Sequence, residues 1–227
     1  YEISACLVGS EMCIRDRLLA GTNIALITDA GTPGISDPGE ELVKMAYEAG
    51  IEVTSLPGAC ACVTALTLSG LSTRRFVFEA FLPPDKKEHK LALERLKNET
   101  RTMIVYEAPH HLLKTLRELL ETLGNRRLTL CRELTKKHET AWQTTIEDAI
   151  TRYEQEDPKG ECVLVIEGRS QKEIEDEAKA AFEEISIEEH MKRYEDQGIA
   201  RKEAMKLVAK DRGVTKRDIY QYLLGKE

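Results

Sequence analysis

The chain has 227 residues, of which 41% are hydrophobic and 32% charged, and a net charge of −7. That length can bury one large core or two modest ones, and no apolar run approaches the roughly 18–20 residues of a membrane helix. The acidic balance excludes a surface coated in positive potential, so any contact with nucleic acid must come from a local basic patch.

The six cysteines form no CxxC pair, and no histidine stands at zinc-finger spacing from them. No metal site is expected, and a cytoplasmic, reducing location without membrane contact fits better than a disulfide framework. Residues 1–17 share no period with the rest of the chain. They resemble translated adapter sequence foreign to the fold, the alternative being an ordinary N-terminal helix.

From Asn23 onward, strand and helix signals alternate as in parallel sheets. Asn23–Thr28 reads as a buried strand, Glu40–Ala49 as a helix stopped by Gly50, Ile51–Leu56 as the next strand, and Ala59–Ser69 as a small-residue helix closed by Gly70. Arg75–Phe81 comes next as a half-buried strand, then Lys86–Glu99 as a helix, Thr102–Tyr106 as a strand, and a helix through Leu123 with Pro109 in its first turn. Leu128–Arg132 and Ala141–Thr145 read as strands, Ile146–Tyr153 as a short helix, and Cys162–Glu167 as a last strand. Gln171–Glu184 is rich in charge and alanine and reads as a linker or exposed helix. Ile187–Gln197, Ala200–Asp211 and Lys216–Leu224 are helical, and Thr215 can cap the third, which gives a helix-turn-helix outline.

Four segments carry candidate chemistry. Asp29-Ala-Gly-Thr-Pro-Gly-Ile-Ser-Asp-Pro-Gly39 holds three glycines and two prolines, too many for a strand or helix, so it must be a shaped loop whose backbone can approach a ligand. It lacks the lysine of a phosphate loop and the glycine spacing of a dinucleotide fingerprint. Tyr106-Glu-Ala-Pro-His-His111 repeats the order of acid, small residue and proline at the end of a strand, and Glu107 and His110 are candidates for polar work there. Arg132-Glu-Leu-Thr-Lys-Lys-His-Glu139 could hold an anionic partner through Arg132, Lys136 and Lys137. Between Arg201 and Arg217 seven bases face two acids, and Arg201, Lys202, Lys206, Lys210, Lys216 and Arg217 are candidates for contact with RNA.

Taken with Pro57-Gly-Ala-Cys-Ala-Cys-Val-Thr-Ala-Leu66 and Ser69-Gly-Leu71, these segments closely resemble the bacterial small-subunit ribosomal RNA (cytidine-2′-O)-methyltransferases of the tetrapyrrole methylase superfamily. The resemblance implies a two-subdomain α/β fold followed by a small all-α, helix-turn-helix-like domain. Its parts would be the remainder of an N-terminal cofactor subdomain at 18–57, a second α/β subdomain at 58–168, a linker at 169–185 and a helical domain at 186–227. It implies S-adenosylmethionine, a homodimer, and small-subunit rRNA or the assembled subunit as substrate. Asp29, Ala30, Gly31, Pro33, Ser36, Thr64, Ala65, Glu107, Ala108 and Pro109 would line the cofactor cleft, and Glu107 or His110 would serve as general base. The family opens with a strand and a Pro- and Gly-bearing loop that nothing in residues 1–22 matches, so an incomplete first subdomain with weak cofactor binding is expected. Methylation of a tetrapyrrole and a non-catalytic RNA-binding role are the alternative functions.

Overall fold

A computed structural model describes residues 11–224 and divides the chain into two compact units, up to Gly168 and from Arg169. The first unit is organised by a five-stranded sheet of order β1-β2-β5-β3-β4, with β1 Phe76–Phe81, β2 Thr102–Glu107, β3 Arg127–Arg132, β4 Thr140–Thr145 and β5 Cys162–Ile166. Only β1 and β2 run parallel, joined through α4 (Lys86–Lys97), whose first turn is capped by the Asp85 carboxylate accepting from the backbone N–H of Lys87 and Glu88. All other pairings are antiparallel. The alternation that reads as a parallel sheet therefore holds for β1 and β2, whereas the link 133–139 is too short for a crossover and closes β3 and β4 as an antiparallel hairpin. β1 is an edge strand and carries a bulge, its register slipping between Phe78 and Ala80, where Ala80 takes φ 55°.

The period of two along the strands sorts their side chains onto two faces. Met103 and Val105, Leu128 and Leu130, and Leu164 and Ile166 point into one core, covered by α4, α5 (Leu112–Leu123) and α6 (Ile146–Tyr153). Ile104, Cys131, Val163 and Val165 point the other way and meet Cys62, Ala65 and Leu66 of α3 (Ala61–Ser69). The Thr129 hydroxyl reaches from this second face to the carbonyl of Ser69 at 3.1 Å, fixing the end of α3 on the sheet. Arg126 is buried because its guanidinium is used up locally. It donates to the carbonyls of Leu123 (3.1 Å), Lys97 (2.9 Å) and Glu167 (3.4 Å), tying the ends of α5, α4 and β5 together.

Upstream of α3 the structure differs from expectation. Neither Asn23–Thr28 nor Ile51–Leu56 is a strand, since no ladder joins them among the described residues. Apolar patterning supplies side chains for a sheet, but a strand exists only where a neighbour takes its backbone groups. Instead Ile24 and Leu26 pack on Ile14 of α1 (Glu11–Leu19) and Leu42 of α2 (Glu40–Glu48). Over 11–19 the chain forms a helix, and residues 1–10 lie outside the described range.

The second unit is all helical: α7 Gln171–Glu183, α8 Ile187–Glu195, α9 Arg201–Arg212 and α10 Lys216–Leu224. Of the two readings of 171–184, linker or exposed helix, the helix holds, and it belongs to this unit. It opens with a capping box in which Ser170 and Glu173 bond each other's backbone N–H. As expected, Thr215 caps α10, accepting from the Asp218 N–H at 3.3 Å while its own N–H donates to the Asp218 carboxylate at 2.8 Å. Met191, Ala204, Val208, Ala209 and Ile219 form the apolar core. Beside them His190 is buried between Phe182, stacked at 4.3 Å, and Tyr194 at 5.5 Å.

Candidate functional site

The loop 29–39 is shaped by conformations that ordinary residues avoid. Gly31 and Gly34 sit at φ 86° and 78°, and Ser36 takes the left-handed value of 59°, a strained choice for a residue with a side chain. Two ends of the loop are tied through the Thr28 hydroxyl, which accepts from the Ala30 N–H at 3.2 Å and lies 3.4 Å from Asp37 Oδ2. A Cβ on Gly39 would stand 2.6 Å from Leu26, and one on Gly31 would stand 3.2 Å from the carbonyl of Ala59. Glycine is therefore required at 31 by conformation and by close approach of the Pro57–Cys60 turn. The Thr32 hydroxyl clamps the same contact by donating to Ala59 O at 3.0 Å. Asp29, Ala30 and Ser36 are left exposed, with Pro33 half-buried.

This contact brings the first and second motifs together, and Tyr106 adds the third. The ring of Tyr106, at the end of β2, packs edge-on against Phe78 and Phe81 and lies in one cluster with Cys60 and Cys62 at the start of α3. Burial pushes the Cys62 thiol up to about 11, with the neighbouring Cys60 acting in the same direction, and burial likewise raises the Tyr106 phenol. Thr64 and Ala65 of the second motif lie near the start of α3, where Ala65 is fully buried against the sheet and the half-buried Thr64 donates its hydroxyl to the carbonyl of Cys60 at 3.0 Å.

Glu107 is also placed differently. Alternation along β2 puts it on the face of Met103 and Val105, and it is 7% exposed. One carboxylate oxygen accepts from the Ala108 N–H at 2.8 Å and the other from the Thr115 hydroxyl of α5 at 2.6 Å. The arrangement fixes the Ala108-Pro109 turn against α5 and leaves no oxygen facing solvent as a base. His110, by contrast, is exposed, its ring 4.2 Å from that of His111. Pro109 precedes the first turn of α5 and does not lie inside it.

In the segment after β3, Glu133 and Thr135 both take positive φ, 50° and 64°. Lys136 pairs with Glu133 at 3.2 Å, and Lys137 is exposed. Arg132 is directed elsewhere. Its Nε is buried without a hydrogen-bond partner, beside an open pocket of about 460 Å³ that it lines with Arg152, Glu156, Asp157 and Lys159. The three bases that the sequence groups are therefore separated.

In the helical unit, Arg201, Lys202, Lys216 and Arg217 converge on an open groove of about 670 Å³, together with Met205 and Tyr220. Lys206 is engaged by Glu203 at 2.8 Å, and Lys210 is exposed outside the groove. Sequence reasoning does not single out Tyr106, Arg152, Lys159, Met205 or Tyr220. The last two had a signal, since Met205 follows Arg201 by one helical repeat and Tyr220 follows Lys216 likewise.

Among the described residues no cluster of three His, Cys, Asp or Glu could hold a metal, and no helix is long and apolar enough to cross a membrane. The family described as Tetrapyrrole (Corrin/Porphyrin) Methylases matches residues 9–150. Ribosomal RNA small subunit methyltransferase I of Halalkalibacterium halodurans is 48% identical over 205 residues, which are 90% of this chain and 70% of that protein. The protein of the same name from Bacillus subtilis is 45% identical over 228 residues, covering 97% of this chain and 78% of its own length. Among solved structures, the methyltransferase CobJ is similar with a TM-score of 0.52 at 19% identity over 70% of each chain, a likeness of fold.

Proposed function

The chain belongs to the tetrapyrrole methylase family, and from that premise we propose that it transfers the methyl group of S-adenosylmethionine to the ribose 2′-hydroxyl of a cytidine in small-subunit ribosomal RNA. The observation that carries the reading is that relatives named as small-subunit rRNA methyltransferases match about nine-tenths of the chain, from the cofactor loop into the helical unit.

The residues present fit the cofactor. The exposed backbone of the 29–31 turn, held in shape by the close approach of Gly31 to the Ala59 carbonyl, and the exposed Asp29 carboxylate suit a ligand with a cationic or hydroxyl edge. Asp29, Ala30, Gly31, Pro33 and Ser36 would hold it from one side, and Ala108 and Pro109 from the end of β2. Bound there, it supplies an electrophilic methyl carbon for in-line displacement.

What the chain itself contributes is position and proton transfer. Glu107 locks the 107–109 turn through Ala108 and Thr115, so the reacting ribose meets a preset wall. His110, exposed with His111 after that turn and the nearer of the two to Pro109 in sequence, accepts the proton of the attacking 2′-hydroxyl. The basic groove of the helical unit holds the RNA.

Incubation with small ribosomal subunits lacking the modification and tritiated S-adenosylmethionine tests the reading. Label recovered in 2′-O-methylcytidine after digestion is the expected result. Label on a tetrapyrrole substrate, or cofactor binding without transfer to RNA, would overturn it.

A further inference from the structure

We infer that the groove between α9 and α10 takes an unpaired stretch of RNA, with one base stacked on Tyr220 and the flanking phosphates held by Arg201, Lys202, Lys216 and Arg217. The inference rests on the proposed RNA methylation and adds the form of RNA recognised and a residue that recognises it.

Charge comes first. The four bases converge because Arg201 and Lys202 open α9 and Lys216 and Arg217 open α10, so two helix starts face one space. Among the described residues, none of the four makes an ion pair or side-chain hydrogen bond, although Lys202 and Lys216 act on Glu203 and Arg217 on Asp218 through space. Glu203 is held by Lys206 at 2.8 Å, and the Asp218 carboxylate accepts from the Thr215 N–H at 2.8 Å and hydroxyl at 2.7 Å. The groove thus presents concentrated positive charge in a chain whose net charge is −7, and its complement is a polyanion.

The second part is the aromatic ring. Tyr220 is 52% exposed and lines the groove beside Met205, whose other side packs into the core of the unit. An exposed ring that shares a groove with cations can receive the flat face of a base. In a paired A-form helix those faces are already stacked, and only phosphates and groove edges are accessible. The combination therefore selects a strand with a base free to leave its stack.

Fluorescence anisotropy with the full 227-residue chain tests this, using a short labelled oligocytidine and a duplex RNA of equal length. The single strand should bind more tightly. Tyr220→Ala should weaken it on the order of tenfold or more, leaving the duplex unchanged, while Tyr220→Phe, which keeps the ring, should bind as the parent does. Lys202→Gln with Arg217→Gln should lower the slope of log affinity against log salt by roughly 1.4, two phosphate contacts at about 0.7 each. Tyr220→Leu keeps bulk without a π face and should behave as Tyr220→Ala, which separates stacking from folding.

Equal affinity for strand and duplex would overturn the inference. So would equal loss with Phe and Ala at 220, or displacement of the oligocytidine by polyglutamate at matched charge, which would indicate an acidic protein partner. Methyl transfer without oligocytidine binding sinks the groove alone. Binding without transfer sinks only the proposed activity.

Discussion

The two units solve the problem of burial in opposite ways. In the sheet unit the interior is mainly apolar side chains from both strand faces, and its buried charged groups, Arg126 and Glu107, sit at strand and helix ends with their hydrogen bonds met, by carbonyls for Arg126 and by the Ala108 N–H and Thr115 hydroxyl for Glu107. In the helical unit four short helices offer a small apolar core, and a polar network completes it. His190 Nε2 lies 3.3 Å from Asp211 Oδ2, the Tyr194 hydroxyl donates to the same oxygen at 2.5 Å, and Arg212 donates to His190 Nδ1 at 3.3 Å and to the carbonyl of Ile185 at 2.6 Å. Since arginine can only donate, His190 is neutral there, with its proton on Nε2. A two-faced sheet gains stability from area, whereas a small bundle must specify its packing by geometry and becomes sensitive to protonation.

The largest expected effect is in the sheet unit. Leu116→Ala removes a fully buried side chain of α5 and should cost about 2–5 kcal/mol in urea unfolding, by the same amount on either side of pH 6.5. Asp211→Ala in the helical unit strands His190 and Tyr194 and should cost about 1–3 kcal/mol, read as faster hydrogen exchange over 187–224 than over 102–166. Thr115→Val should cost a similar amount, because it leaves a Glu107 oxygen buried and unpaired, and cofactor titration should report a loosened 107–109 turn. Gly31→Ala, at φ 86° and facing a backbone carbonyl, should cost about 1 kcal/mol or more and weaken cofactor affinity.

The finest distinction is a pH slope. Burial holds the His190 imidazole below its ordinary value of 6.5, outweighing the attraction of Asp211, while Arg212 and Arg193 lower it further. The unfolded chain therefore takes up a proton that the folded unit resists. Stability from this group is complete above pH 6.5 and is lost as pH falls from there through the folded value. Hydrogen exchange in the helical unit should accelerate over that window while the sheet core stays protected, and His190→Gln should flatten the response.

Much of the sheet unit was legible because long periodic segments leave little choice. α5, with leucines repeating along one face, and α6, which follows the Thr145 cap, fell within a few residues of expectation. The strands at 23–28 and 51–56 failed for a physical reason: composition reports which side chains suit a sheet, not which backbone will pair. α7 was legible only as one of two readings, since its charge suits a linker as well as an exposed helix, and the Ser170–Glu173 capping-box spacing is what decides for the helix. At the site, the loop 29–39 was legible because glycine and proline leave few conformations. The role of Glu107 was not, because a carboxylate at a strand end looks alike whether it turns outward or inward, and only its place in the two-residue alternation decides. Tyr220 was hidden by its neighbours, whose charges drew attention from the ring between them.

One consequence concerns the edge at β1. An edge strand with a straight run of free backbone groups is a template onto which another chain can add, and Phe76 and Phe81 at its ends would make that addition adhesive. The slip at Ala80 breaks the run, so that free N–H and C=O groups no longer keep the spacing an incoming strand requires. A distortion of one residue thereby makes the outer side of β1, which no strand pairs among the described residues, a poorer template for an added strand.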